Sequence, residues 1–168
     1  MQRDEISLES PIEAKIAWAE KRYQEARGEL LGDQEIPLLL EKLKGAIHAS
    51  HREMAEVGVV DECRECEERE GGSCCGAGLE NRYDGPLLLT NLLLGVKLPR
   101  QGYDPSSCFF LGAQGCLLLA RHVICVNYLC KKISDQIDPE KIATLQGKEG
   151  VELELLFHLQ ERLKKKIQ

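Results

Sequence analysis

The stretch DECRECEEREGGSCC, residues 61–75, sets Cys63, Cys66, Cys74 and Cys75 within fifteen residues, and Cys108, Cys116, Cys125 and Cys130 follow. Eight thiols in a chain of 168 residues must be oxidised to disulfides, buried singly as small apolar side chains, or held by a metal. A disulfide scaffold is the weakest of the three readings. Such scaffolds are usually short secreted chains, whereas MQRDEISLES has neither the basic nor the apolar region of a secretory signal. The adjacent pair Cys74-Cys75 also fits badly. Consecutive Cα atoms lie about 3.8 Å apart, below the roughly 4.4–6.8 Å usual across a disulfide. Cysteines clustered in a reducing compartment point to metal, and the expected localisation is cytoplasmic.

Charge and hydropathy narrow the partners. A net charge of −6 argues against nucleic acid or an anionic membrane surface as partner, since both demand a basic face. Apolar runs such as Pro86–Leu89 and Leu92–Leu94 are too short to cross a bilayer. Aromatic residues make up only 5%, so an aliphatic, helix-packed core is expected.

Both ends read as helix. Ser10-Pro11-Ile12-Glu13 suggests a helix start, with Ser10 as cap and Glu13 closing a capping box. Ile12, Ile16, Ala19, Tyr23, Ala26 and Leu30 then recur at alternating spacings of four and three. Gly32-Asp33 breaks this pattern, and Ile36, Leu40, Leu43, Ile47, Ser50, Met54 and Val57 resume it up to Gly58. Two such stripes joined by a short break predict an antiparallel helical hairpin over 10–58. If one stripe stays uncovered, the hairpin is instead an arm for a protein partner. Asp138-Pro139-Glu140 opens a C-terminal helical section over 138–168. Gly147 and Gly150 predict a break, with helix resuming from about Glu149 to Lys166. The basic residues Arg162 to Lys166 suit the C-terminal end of a helix dipole. Between these ends, periodicity fades over 61–130. A short helix is expected at Pro86–Gly95, loop at 98–107, and either a strand or a buried turn from Cys116. The predicted fold is one mainly α domain, 1–168, with the hairpin and the C-terminal helix packed around a loop-rich, cysteine-ligated metal region.

By spacing, the thiols fall into Cys63-x2-Cys66-x7-Cys74-Cys75 and Cys108-x7-Cys116-x8-Cys125-x4-Cys130. A C-x2-C pair in a tight turn aims two sulfurs at one point, as a tetrahedral thiolate site requires. Gly71-Gly72 and Gly76-Ala77-Gly78 let the backbone approach a metal closely, and Arg64, Arg69 and Arg121 balance thiolate charge. Two adjacent sulfurs are expected to serve two sites, or to divide into ligand and support. Structural zinc often uses two C-x2-C pairs, and this chain has one. Iron–sulfur clusters accept dispersed ligands, which tilts the expectation toward a cluster, with Zn2+ next. The carboxylates around the first group are expected to face solvent.

This order of motifs resembles the CxxCxxCC (YkgJ-like) cysteine-cluster family. The matching features are the C-x2-C pair, Ser73-Cys74-Cys75, Cys108-Phe109-Phe110-Leu111, Gly115-Cys116 and Arg121-His122-x2-Cys125. They span Cys63 to Cys130, under half the chain. Where the family commonly has Arg-Pro before the later cysteine and Arg after it, this chain has His122 and Val126, and its gap before the cysteine pair is longer. The family is described as zinc- or iron-chelating and includes flagellin lysine N-methylase. The resemblance implies metal ligands among Cys63, Cys66, Cys74, Cys75, Cys108, Cys116, Cys125 and Cys130, and offers a metal-dependent methyl-transfer or redox enzyme as the alternative function.

Other motifs carry less. His122 is placed to support the cluster or ligate it, and the supporting role is preferred. His48 and His51 share a helix face without a zinc-protease carboxylate, which reads as a packed or solvated pair. No phosphate-cradling glycine loop and no G-x-S-x-G nucleophile elbow occurs. A Cys–His nucleophile is a more elaborate account of eight clustered thiols than metal is.

Overall fold

The computed structural model describes residues 6–69 and 74–167. The fold is mainly helical, as expected. Its helices are α1 (Ile12–Leu31), α2 (Ile36–Glu56), α3 (Val59–Arg69), α4 (Gly85–Leu93), α5 (Val123–Asn127), α6 (Lys131–Gln136) and α7 (Pro139–Ile167). A 3₁₀ turn covers Leu79–Arg82, and β1 (Leu111–Gly112) pairs antiparallel with β2 (Gly115–Cys116).

The periodic stripes of α1 and α2 are buried, but their main partners are not each other. Ile12, Ile16, Ala19 and Leu30 sink into the core, and α1 packs chiefly on α4. The α2 stripe of Ile36, Leu40, Leu43, Ile47 and Ser50 meets α7. The expected mutual packing of the two N-terminal stripes therefore gives way to two longer-range pairings. The α7 residues Leu145, Glu149, Glu152, Leu156, Leu159 and Leu163 recur at four and three as those of α1 do, but all six are buried, whereas Tyr23 and Ala26 of the α1 stripe are only partly so. The predicted break at Gly147 and Gly150 does not occur, since α7 runs unbroken from Pro139 to Ile167. Each glycine costs a helix about 1 kcal/mol relative to Ala, and packing along a whole face outweighs that.

Helix ends differ from expectation in the same local way. Ser10 does not cap α1; its hydroxyl accepts from the Ser7 amide at 3.1 Å, and Pro11 stands at the cap without a side-chain bond. Asp33 does more than break the chain. Its Oδ1 accepts from the Glu35 and Ile36 amides at 2.9 and 3.2 Å, starting α2. Arg162 and Lys166 of α7 reach Asp33 at 3.0 and 3.3 Å, and these contacts hold its carboxyl far below the usual carboxylate range. The basic end of α7 thus serves as an anchor on α2. Gly58, at φ +90°, ends α2 and lets the chain turn directly into α3, a conformation that side chains rarely tolerate.

The middle is more helical than its sequence suggests. Asp84 caps α4, accepting from the Leu87 amide at 2.8 Å, and Leu87, Leu88 and Leu89 fill the main core with Tyr83 and Phe110. Gly85 sits against Trp18, where a Cβ would stand 2.5 Å from ring atoms. Lys15 is wholly buried and donates to the carbonyls of Leu8 and Asn81 at 2.7 and 2.9 Å, tying α1 to the 3₁₀ turn. Burial lowers its pKa, opposed by the charge of Asp84. The run from Cys116 to Ala120 forms neither the strand nor the buried turn expected of it. Cys116 closes the two-residue ladder, after which the Leu117 amide donates to the Phe110 carbonyl at 2.8 Å.

Asn91 holds this irregular segment in place. Its amide donates to the carbonyls of Leu87 and Ala120 at 3.0 and 2.8 Å, and its oxygen accepts from the Leu119 and Ala120 amides at 3.0 Å each. The substitution Asn91→Leu keeps the branched shape, adds bulk and strands three backbone groups of residues 119–120. It should cost about 2–4 kcal/mol, read as a lowered denaturant midpoint with an unchanged slope.

Candidate functional site

Six separate segments bring cysteines toward one region, and each is placed by something other than sulfur. Cys63 and Cys66 lie on α3, three residues apart and so on one helical face, not in the tight turn expected of a C-x2-C pair. The helix is rooted by a small cluster of Val59, Ile133 and Leu145, against which Met54, Val57, Leu129 and Cys130 pack. That cluster joins α3 to α6 and seats Cys130, at the N-cap of α6, beside the α3 cysteines.

The second sequence group is joined to the first through the backbone. The Cys108 amide donates to the Cys75 carbonyl at 2.7 Å, the Ala77 amide donates to Ser106, and Gly76 bridges Ser107. Gly71-Gly72, Ser73, Glu70 and the Arg69 side chain lie outside the described residues, and with them part of the expected glycine and charge-balancing roles.

Electrostatics reports which thiols feel one another. Burial, then the charges of Cys75, Cys130, Cys74 and Cys66, push the Cys63 thiol up to about 11. Cys108 is pushed up to about 12, mainly by burial, with Glu80, Cys116 and Cys125 adding to it. Cys116 lies on an exposed strand, yet the protein around it raises its thiol. Cys125 and Cys75 raise it further, while Arg121 opposes them. In space, then, Cys130 belongs with Cys63, Cys66 and Cys74, although spacing grouped it with Cys108, Cys116 and Cys125. Cys75 is felt from both sides. Among the described residues no three His, Cys, Asp or Glu side chains stand in position to hold a metal ion, so the thiols are gathered without being closed to ligand distance.

Two neighbours of the sulfurs, Lys132 and Tyr83, were not singled out from the sequence. Lys132 reaches Glu62 and Glu65 at 3.5 and 3.7 Å and places its ammonium 3.8 Å from Cys66 Sγ. These two carboxylates therefore turn toward Lys132, while Asp61 and Arg64 remain on the solvent side. Tyr83, 1% exposed, donates its hydroxyl to Cys125 Sγ at 3.6 Å and accepts from the His122 amide at 3.2 Å. Burial, with the charges of Cys125 and Cys116, holds the phenol well above its usual pKa. His122 caps α5, its Nδ1 accepting from the Ile124 amide at 3.2 Å. With Nδ1 accepting, a neutral ring carries its proton on Nε2. A sequence signal existed only for Lys132, a cation two residues past Cys130 on the same helical turn.

No family model matches this chain, and no curated protein and no solved structure matches it. No described helix is long and apolar enough to cross a membrane.

Two outcomes follow from this geometry. Tyr83→Phe leaves the ring packed on Phe110 and removes both hydroxyl bonds, costing about 1 kcal/mol. Losing the donor that stabilises the Cys125 thiolate should slow its alkylation severalfold and leave Cys63 unchanged, as read by mass spectrometry of labelled peptides. In the metal-free protein, Cys63 and Cys108 hold their protons more tightly folded than unfolded. Their contribution to stability is full below about pH 9 and lost as pH rises through 11 to 12. Thermal midpoints of metal-free protein should fall over that window, and a flat profile would show that the fold does not bury these thiols.

Proposed function

We propose that this chain is a cysteine-cluster metal-binding protein, its thiolates holding an iron–sulfur cluster or, in its place, Zn2+. One observation carries the reading: Cys63 of α3 lies within electrostatic reach of Cys66, Cys74, Cys75 and Cys130, and Cys116 of β2 within reach of Cys75 and Cys125. Cys63, Cys108 and Cys116 resist ionising first because the surrounding protein desolvates them and then because neighbouring thiolates repel them. A bound cation reverses that sign, since a coordinating thiol is deprotonated outright. The same proximity that burdens the metal-free protein is therefore what a thiophilic cation gains from.

Cys63, Cys66, Cys74 and Cys130 make up one ligand set in this reading, and Cys108, Cys116 and Cys125 the other, with Cys75 between them. Dispersed ligands and a helical C-x2-C pair favour iron–sulfur over the knuckle-like zinc sites. The Tyr83 hydroxyl at Cys125 and the Lys132 ammonium near Cys66 are the kind of contact that tunes a cluster's potential. A bound cluster would supply electron transfer or structural closure. The protein's own part is to draw the sulfurs together, shield Cys108 and Cys125 beneath Tyr83 and Phe110, and neutralise charge with Lys132 and Arg121. The order of cysteine motifs, which resembles the CxxCxxCC family, supports the same chemistry.

Anaerobic purification followed by absorption spectroscopy and iron, zinc and sulfide analysis tests this. Expected is a brown protein with sulfide in proportion to iron. Colourless protein with bound zinc removes the cluster, and protein with neither metal removes the reading. Cys75→Ser should lower the metal load more than Cys74→Ser. Stripping the metal should open residues 61–130 to protease while α1, α2 and α7 keep their helicity. Resistance that survives verified metal removal would count against a metal-dependent middle.

A further inference from the structure

Every buried side-chain polar atom that lacks a hydrogen-bond partner among the described residues belongs to one cluster: His51 Nε2, Arg121 Nε, both oxygens of Glu149 and Oε1 of Glu152. The cluster sits in the joint between α2 and α7, the most extensive helix pairing of the fold. Glu149 is 1% exposed and Glu152 0%. Ser50 of α2 donates its hydroxyl to Glu152 Oε2, and Lys148 pairs with Glu53 at the margin. Arg121 places Nη2 3.8 Å from Met54 Sδ. The charges that reach Glu149 are those of Glu152 and Arg121; those that reach His51 are Arg121 and His48.

Charge counting decides what this arrangement holds. One guanidinium balances one carboxylate, and two carboxylates are sealed in with it. A metal cation is a poor guest beside a permanent guanidinium, and His51, Glu149 and Glu152 do not stand in position to ligate one. A proton balances the charge with no added volume. Glu152 already accepts from Ser50, which favours its ionised form, whereas Glu149 accepts nothing and is the group that holds the proton. We propose that His51, Arg121, Glu149 and Glu152 form a proton-binding latch in which a single proton on Glu149 keeps the α2–α7 joint closed.

The electrostatic directions agree. Burial, then the charge of Glu152, pushes Glu149 up to about 7, with Arg121 opposing. Burial also raises Glu152, against Ser50 and Arg121. Burial, Arg121 and His48 push His51 down to about 4, so it stays neutral in this range and does not offset the second carboxylate. The signs run oppositely for the two groups. Stability from Glu149 is full below about pH 4.5 and is lost as pH rises through about 7. Stability from neutral His51 is full above about pH 6.5 and is lost as pH falls through about 4. The alkaline side of the window is therefore governed by the proton on Glu149. Opening there loosens the seat of Arg121 and of α5, which packs on α7 and carries Cys125. The latch stands independently of which metal, if any, the thiols hold.

Hydrogen exchange on the full chain as purified, corrected for intrinsic rates, tests it by comparing wild type with Glu149→Gln. Between about pH 6 and pH 8, protection across 47–54 and 145–152 should fall at least about tenfold in wild type. It should stay level in Glu149→Gln, which is neutral at both values. Equal loss in both proteins overturns the latch. Infrared spectroscopy of the wild type with isotopically labelled glutamate gives a readout that needs no variant. A protonated carboxyl band at about pH 6 that disappears with rising pH is expected, and a spectrum without that band overturns the proposal.

Discussion

Everything in this fold leans on the pairing of α2 with α7. Ser50 bonds Glu152, Glu53 bonds Lys148, and Asp33 bonds Arg162 and Lys166, so numbers rise along α2 as they fall along α7, and the helices run antiparallel. The joint is apolar where Ile36, Leu40, Leu43 and Ile47 meet Leu156, Leu159 and Leu163, and polar where Ser50 meets Glu152. From this spine α7 also touches α1, α4 and α5, and α2 continues through Gly58 into α3. A single long helix thus reaches both the main core and the small cluster of Val59, Ile133 and Leu145 beneath the first cysteines.

The cysteine face is built before any sulfur contributes. Asn91 clamps residues 119–120, Tyr83 fixes the turn from His122 to Cys125, and the bond between Cys108 and Cys75 ties the two sequence groups together. Apart from that last backbone bond, these are side chains bonding to irregular backbone, the device by which a segment without periodicity satisfies its buried amides. Such a scaffold brings thiols near one another without closing them. Bound metal would then draw together sulfurs already close, which requires less ordering than assembling a site from an open chain.

How much of this was readable depended on whether the signal was periodic. The stripes of α1 and α2 and the Asp84 start of α4 were legible because spacing and capping chemistry are local. Partner choice was not. Two stripes close in sequence suggest a hairpin, whereas α2 packs on the α7 stripe, all six of whose positions are buried, and α7 was masked by Gly147 and Gly150. The clustering of the eight cysteines could be read from their spacing, but the placing of Cys130 beside α3 depends on three apolar residues, Val59, Ile133 and Leu145, that no cysteine spacing encodes. Tyr83 and Asn91 act through backbone groups far along the chain, and a lone Tyr or Asn carries no mark of that.

Glu149 and Glu152 were readable in principle. They occupy stripe positions of α7, between Leu145 and Leu156 at spacings of four, three and four, where leucine would extend the core. Replacing buried ionic groups by well-packed apolar ones is often neutral or stabilising, so stability alone is a weak reason for acids there. Register is a stronger one. Sliding α7 by one heptad would carry Glu152 from Ser50 to Leu43 or Val57, neither of which offers a hydroxyl. It would also part Lys148 from Glu53 and the basic end of α7 from Asp33. The polar joint therefore costs packing energy at two positions and leaves the antiparallel pair one axial alignment in which its charges are met. It is the same alignment that seats α5 and the start of α3, the two helices carrying Cys125, Cys63 and Cys66.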